Sequence, residues 1–230
     1  MLNQYKTRLI LKNQLTKNVL FLRFQLVEPK EIVFIPGQYL MLKIEDKPRL
    51  YSIASSSFEK NIVEFIVEIL PGGLASAYFT NLKDGQEVVF YGPAGQFQMK
   101  TANKKNIFLT TGTGLAPVLS MLKSTKDNSN NYLYWGVRYF QDIYLFEQLK
   151  KYQTKICLSR EKHLLMIKNE ERKYFDLGHI DEVMEKDFFN NQSFDDLRFY
   201  LCGGREVVES LKQKLILKGI LPENIIFEKF

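Results

Sequence analysis

Two glycine-rich segments and one arginine-bearing strand hold most of the chemistry this chain can do. Gly112-Thr113-Gly114-Leu115-Ala116-Pro117 follows an apolar run and leads into a stretch of helical character. Glycine lets the backbone turn sharply and come close to a ligand. The first turn of a helix offers unpaired N–H groups and a positive dipole end to a phosphate. Pro117 suits that turn, where its missing N–H costs nothing. Pro71-Gly72-Gly73-Leu74-Ala75-Ser76 repeats the arrangement in the first half, with the Ser76 hydroxyl as a further donor. A tight turn and an ordinary helix start account for either segment without a ligand. Present in both halves, they suggest a pyrophosphate cofactor in the first and a dinucleotide in the second.

Arg49-Leu50-Tyr51-Ser52 lies upstream of both. On a strand Arg49 and Tyr51 share one face, and Leu50 and Ser52 the other. The pair can hold a phosphate and pack an aromatic ring, while Ser52 can donate to a ring nitrogen. The usual dinucleotide fingerprint has a third glycine and an acid at the end of the following strand. Here Pro117 stands in the first place and Val137-Arg138 ends the strand. Arg138 is then either a phosphate ligand or a solvated surface arginine.

These segments need elements to position them. Six runs in the first hundred residues read as strands: Tyr5–Leu11, Val19–Val27, Gln38–Ile44, Leu50–Ala54, Ile62–Leu70 and Glu87–Tyr91. In Ile62–Leu70, Val63, Phe65, Val67 and Ile69 alternate with Glu64 and Glu68, which predicts a half-buried strand. The spacing suggests an N-terminal antiparallel six-stranded β-barrel, closed or nearly so, with one helix at Leu74–Leu82. The polar stretch 100–106 reads as a linker, which puts a domain boundary at 101/102. Beyond it strands (Ile107–Thr111, Tyr132–Val137, Lys155–Leu158, Arg198–Cys202, Asn224–Phe227) alternate with helices (Pro117–Ser124, Ile143–Lys151, Glu206–Lys218). That order predicts a C-terminal α/β domain of Rossmann-like parallel sheet with helices on both faces.

Composition narrows the classes. Of 230 residues, 45% are hydrophobic and 25% charged, enough for a packed core. The 32 basic against 26 acidic residues leave a scattered +6, which fits an acidic protein partner and argues against nucleic acid. Two cysteines, Cys157 and Cys202, make neither a disulfide framework, a zinc site nor an iron–sulfur cluster, so no metal is expected and a cytoplasmic, reducing location is. No signal peptide and no membrane-inserted segment is expected.

In order along the chain, Pro36-Gly37-Gln38-Tyr39, Arg49-Leu50-Tyr51-Ser52, Gly73-Leu74-Ala75-Ser76, Gly92-Pro93-Ala94-Gly95-Gln96-Phe97, Gly112-Thr113-Gly114-Leu115-Ala116-Pro117, Tyr134-Trp135-Gly136-Val137-Arg138, Leu201-Cys202-Gly203-Gly204 and Phe227-Glu228-Lys229-Phe230 resemble the ferredoxin–NADP reductase family in its broad sense, over essentially the whole length. The resemblance implies an FAD barrel at 1–101 and an NAD(P) domain at 102–230. It assigns Arg49 to the flavin pyrophosphate, Tyr51 and Ser52 (with Leu50 in the same strand) to the isoalloxazine, and Gly73, Leu74, Ala75 and Ser76 to the pyrophosphate. Gly112 and Gly114 would serve the dinucleotide, and Thr113 would sit where the two cofactors meet. Cys202 and Gly203 would line the nicotinamide pocket, Glu228 would lie near the reacting atoms, and Phe230 would cover one flavin face. The catalytic set is thus Ser52, Cys202, Glu228 and Phe230. Ser159 and Arg160 would clasp a 2′-phosphate, which favours NADPH over NADH; in Arg172-Lys173-Tyr174, Arg172 would supply a second cation and Tyr174 a ring for the adenine, and Arg138 would serve a phosphate or a different docking of the nucleotide. The alternatives are that Arg160 and Arg172 are solvated loop residues, Cys202 a core cysteine, and Phe230 core.

The implied activity is FAD-dependent electron transfer between NAD(P)H and a separate acidic carrier such as ferredoxin or flavodoxin, which the acid-plus-aromatic ending favours. Reduction of free flavin and a relay subunit of a larger complex are the alternatives. Gly204-Arg205-Glu206-Val207 departs from the prolines and methionine of many relatives. The chain also lacks a cysteine cluster for a fused iron–sulfur domain, and lacks the extra cysteines of the dihydroorotate dehydrogenase electron-transfer subunit.

Overall fold

The computed structural model describes residues 2–100, 104–189 and 194–230. Its first half holds β1 (Asn3–Thr16), β2 (Val19–Glu28), β3 (Tyr39–Ile44), β4 (Lys47–Ser52), β5 (Ile62–Glu68), α1 (Leu74–Asn81) and β6 (Glu87–Ala94). All the strand pairs are antiparallel, in the order β4-β3-β6-β1-β2-β5. Just past β4, the Ala54 N–H donates to the Glu64 carbonyl at 2.8 Å and links the two ends of the sheet. Period-2 patterning builds the interior. Leu20, Leu22, Phe24 and Leu26 of β2 point inward and the residues between them do not. Phe24, Phe65 and Phe90 meet there with centroids 4.9–5.9 Å apart, geometries that add about 0.5–1.5 kcal/mol per pair beyond burial.

The second half holds β7 (Lys105–Thr111), α2 (Leu115–Lys123), β8 (Asn131–Val137), α3 (Phe146–Leu149), β9 (Gln153–Leu158), β10 (Phe175–Leu177), α4 (Ile180–Phe188), β11 (Leu197–Gly203), α5 (Arg205–Leu217) and β12 (Ile225–Lys229). The sheet is parallel throughout, ordered β10-β9-β8-β7-β11-β12. Ile107, Leu109, Phe199 and Leu201 face α4 and α5, which bring Val183, Met184, Val208 and Leu211 to that core. On other strand positions Phe108 and Tyr200 stack at 5.0 Å, and Trp135 meets Tyr144.

The chain separates into two compact units, Met1–Met99 with Ala116–Lys126, and Lys100–Leu115 with Asp127–Phe230. The boundary expected at 101/102 falls outside the described residues. Most of α2 therefore groups with the barrel, and this corrects the expectation for β5. Glu64 is buried, not solvent-facing, and six of the seven residues of β5 are buried. The covering face is α2. Lys123 Nζ meets Glu64 Oε2 at 2.7 Å, Ser120 Oγ donates to the Ser55 carbonyl at 2.7 Å, and Ser56 Oγ donates to the Lys123 carbonyl at 3.2 Å.

Other departures have local causes. The helix expected over Ile143–Lys151 is a 3-10 turn at Phe140–Asp142 and the short α3, because Leu145 sits at φ 55° and breaks the helical path. Element β10 has only three residues, too few for a sequence period to register. Helix α4 went unread; it starts where the Glu182 carboxylate accepts from the His179 N–H at 3.0 Å. No helix among the described residues is long and apolar enough to cross a membrane.

Candidate cofactor and coenzyme sites

In the barrel unit, β4 and α1 come together through an aromatic contact in the second half of the helix. The Tyr51 ring meets Phe79 of α1 edge-on at 5.0 Å and Phe65 of β5 at 6.2 Å. Burial pushes the Tyr51 phenol up to about 12 against the opposing pull of the Arg49 charge. Tyr51 therefore stays a protonated donor, and Arg49 lies near it, as their shared strand face requires. Arg49 donates to the Pro48 carbonyl at 2.9 Å and, among the described residues, forms no ion pair. Leu50 points the other way and is 56% exposed. Ser52 ends the strand, half-buried.

Helix α1 begins at Leu74 with no side-chain cap. The Gly73 N–H is spent on the Leu70 carbonyl, so the N–H groups of Leu74, Ala75 and Ser76 form the open first turn. The Ser76 oxygen is already used, accepting from the Leu70 N–H at 2.8 Å. That bond ties the glycine turn to the helix start, leaving only the hydroxyl hydrogen for a ligand. An uncapped helix N-terminus and an arginine without a carboxylate suit a pyrophosphate.

In the sheet unit the chain runs from β7 outward to β8, β9 and β10, then returns to the other side of β7 as β11 and β12. The reversal lies between β7 and β11, and ligands of such sheets bind at the carboxyl ends of the strands at this point. Gly112–Gly114 leaves β7 there, and Cys202 and Gly203 end β11. The glycines answer to close approach. A Cβ on Gly114 would lie 2.5 Å from the Cys202 carbonyl oxygen, and one on Gly203 would lie 2.3 Å from Thr111 Oγ1. Cys202 is buried, and desolvation, with the nearby Glu228 charge second, raises its thiol well above the ordinary range. It stays a neutral thiol. Glu228 stands opposite it on β12.

The next ends along the sheet carry Arg138 after β8 and Ser159-Arg160 after β9. The Arg160 N–H donates to the Arg138 carbonyl at 3.0 Å, and Ser159 donates through both N–H and Oγ to the Val137 carbonyl. These three residues are therefore neighbours, and neither arginine forms an ion pair among the described residues. Arg172 occupies a different place. It sits on the 3-10 turn Asn169–Tyr174 upstream of β10, its Nε pointing to the Ile167 carbonyl at 3.4 Å, and its neighbour Glu171 pairs with Lys150 ahead of β9. Phe230 is held by its backbone, its N–H to the Gly203 carbonyl and its carbonyl to the Arg205 N–H, both 3.3 Å, while the residue is 62% exposed. It is not a core phenylalanine.

Sequence reasoning missed two side chains here. Trp135 Nε1 and Tyr144 OH both donate to the Gly112 carbonyl. Trp135 lies within Tyr134-Trp135-Gly136-Val137-Arg138, whereas Tyr144 falls in the part of the expected helix that stays outside α3.

Comparison with known proteins agrees with this layout. Residues 6–99 match the model of an oxidoreductase FAD-binding domain, and 108–213 that of an oxidoreductase NAD-binding domain. The toluate 1,2-dioxygenase electron transfer component of Pseudomonas putida is 29% identical over 94% of this chain and 65% of its own length. The reductase component of the naphthalene 1,2-dioxygenase system of the same species, ferredoxin--NAD(P)(+), is 32% identical with the same coverages. The chain thus spans just under two thirds of these relatives. A Neisseria gonorrhoeae ferredoxin NADP+ reductase crystallised with FAD and NADP superposes with a TM-score of 0.83 at 18% identity, over 98% of both chains, and shows the fold alone. With an FAD-binding domain followed by an NAD-binding domain over most of its length, the chain belongs to the ferredoxin–NADP reductase superfamily.

Proposed function

We propose that this protein is an FAD-dependent NAD(P)H oxidoreductase that passes electrons to a separate acidic carrier of the ferredoxin or flavodoxin type. The observation that carries the reading is the pairing of two open phosphate cradles in one chain. One is the uncapped start of α1, in the unit that also carries Arg49, which forms no ion pair among the described residues; the other is the glycine loop at the strand-order reversal. Two relatives, one an electron transfer component and the other a reductase component of a dioxygenase system, support it. The bound pair supplies hydride exchange between nicotinamide C4 and flavin N5. The protein's contribution is positioning. Arg49 and the N–H groups of Leu74 to Ser76 hold the pyrophosphate. Tyr51 and Ser52 orient the ring system. Gly114 and Gly203 permit close approach beside Cys202, whose neutral thiol puts no competing charge near the nicotinamide. Glu228 is an acid at the same strand ends, and Phe230 covers an exposed ring face. An FAD module, matched over 6–99, precedes a coenzyme module, matched over 108–213. Both cysteines are free and buried, which suits a cytoplasmic location.

The coenzyme is NADPH in preference to NADH. Ser159, Arg160 and Arg138 lie together, neither arginine ion-paired among the described residues, and a guanidinium binds phosphate oxygens in paired hydrogen bonds. Arg172, on the turn ahead of β10, is assigned to the adenine side. The test is steady-state oxidation of both coenzymes with ferredoxin, flavodoxin and free flavin as acceptors, repeated with Arg160→Ala. A yellow protein that prefers NADPH and a protein acceptor, and loses NADPH efficiency in the variant, fits. A colourless protein reducing only added flavin, or a clear preference for NADH, refutes the corresponding part.

A further inference from the structure

The glycine loop of the coenzyme site is held from behind by two aromatic donors. Trp135, on β8, gives its indole N–H to the Gly112 carbonyl at 3.1 Å. Tyr144, in the stretch between the Phe140–Asp142 turn and α3, gives its hydroxyl to the same oxygen at 2.8 Å. The two rings meet edge-on with centroids 4.6 Å apart. Trp135 is fully buried and Tyr144 nearly so, whereas Gly112 is exposed. The carbonyl is therefore drawn inward.

In a trans peptide the carbonyl and the following N–H point in opposite directions. Gly112–Thr113 is not among the cis bonds of the described residues. Drawing the Gly112 oxygen toward the buried pair turns the Thr113 N–H away from them, toward the exposed side of the loop. The Leu115 N–H is already spent on the Gly112 and Thr113 carbonyls. Gly112 itself sits at φ +52°, a left-handed conformation that glycine accepts without strain, and a Cβ there would meet open space. The Gly112 carbonyl thus takes three donors, the loop's own Leu115 N–H and the two aromatic side chains, and the aromatic pair is the part of that grip that comes from outside the loop.

We propose that Trp135 and Tyr144 are positioning residues of the coenzyme site: they clamp the Gly112 carbonyl so that the Thr113 N–H is aimed at a phosphate oxygen of the dinucleotide. The inference rests on the function proposed above.

Trp135 is the single tryptophan of the chain, so its emission reports on the clamp directly. The FAD-loaded protein is titrated with NADP+ and, separately, NAD+, reading Trp135 emission. The same titration is made on Tyr144→Phe, which keeps the ring and removes the donor. One neutral hydrogen bond corresponds to a loss of coenzyme affinity of about 3- to 10-fold. The expected result is that loss with NADP+, a KM for NADPH raised to match, kcat within about twofold, and FAD-to-protein ratio and Tm close to wild type. Trp135→Phe, followed by KM alone, should show the same split. A merely structural role would lower Tm or FAD content and leave the affinity of the folded protein unchanged. Equal affinities in wild type and Tyr144→Phe overturn the clamp and leave the proposed function standing. A wild-type protein with no saturable response to either coenzyme, and no oxidation of their reduced forms, overturns the proposed function and the clamp's role with it.

Discussion

Replacing Lys123 by methionine tests how α2 is bound to the barrel. Glu64 is only 5% exposed, and Lys123 Nζ at 2.7 Å is its nearest cation. Arg23 Nε stands at 3.6 Å, beyond a good hydrogen bond, and Arg23 also reaches Glu59 at 3.5 Å. Methionine keeps the length and apolar bulk of the lysine stem, so packing changes little. What changes is the carboxylate, left buried with one distant, shared cation. Removing one partner of a buried pair costs about 3–5 kcal/mol, because the other charge stays desolvated. Arg23 offsets part of that, so a loss of about 2–4 kcal/mol is expected. Adding Glu64→Gln removes the stranded charge and should recover roughly half of it, since isosteric neutral replacement of a buried pair is far less costly than breaking it. Urea unfolding followed by far-UV circular dichroism gives each value, and the double-mutant cycle gives the coupling. A Lys123→Met loss within about 0.5 kcal/mol of wild type, the range of an ordinary surface substitution, would refute a buried ion pair here.

Arg49→Ala should lower the FAD-to-protein ratio after purification, because the pyrophosphate loses its charged partner. A ratio equal to wild type at low added FAD removes Arg49 from the site. Burial raises the thiols of Cys157 and Cys202, so folding favours the protonated thiol. Their contribution is whole below the ordinary thiol value of 9.0 and is lost as pH climbs above it, at about 1.4 kcal/mol per pH unit per thiol. Urea stability compared near neutral pH and at high pH, in wild type and Cys202→Ala, shows it; an equal slope in both removes Cys202 from the effect. Cys202→Ala should also slow flavin reduction in stopped flow with FAD still bound. Deleting Phe230, whose ring is exposed, should change flavin fluorescence and tighten coenzyme binding; if neither moves, it is no cover.

The glycines were legible because their demand is steric and local. Gly114 and Gly203 sit where a Cβ would collide with the neighbouring strand end, and such positions tolerate nothing else. The barrel strands were legible from alternation in β2, where one face is buried and the other is not. The same rule misread Glu64. Alternation in β5 marks Val63, Phe65 and Val67 as one buried face, but it carries no information about a helix more than fifty residues later that buries the second. Tyr144 was hidden for a related reason. Leucine at a left-handed position gives no signal, so the break at Leu145 was unreadable, and with it the turn that brings Tyr144 under Gly112. Arg138, Ser159 and Arg160 were named from separate strand ends, and parallel register makes them neighbours. Arg172, named with them from its basic neighbourhood, lies upstream of its own strand.

The inclusion of Ala116–Lys126 in the barrel unit has a consequence for synthesis. When Met99 leaves the ribosome every barrel strand has been made, yet one flank of β5 is bare and Glu64 has no lysine. The missing helix arrives only when Lys126 emerges, by which time β7 and the glycine loop have also been made. At about 5–20 residues per second that interval lasts on the order of one to five seconds. For those seconds the nascent barrel shows an apolar flank to the cell. A ribosome-bound chain stalled so that Met99 has cleared the exit tunnel while Ala116–Lys126 has not should bind an apolar dye and be cleaved readily by protease, and one stalled far enough past 126 to free the helix from the tunnel should not.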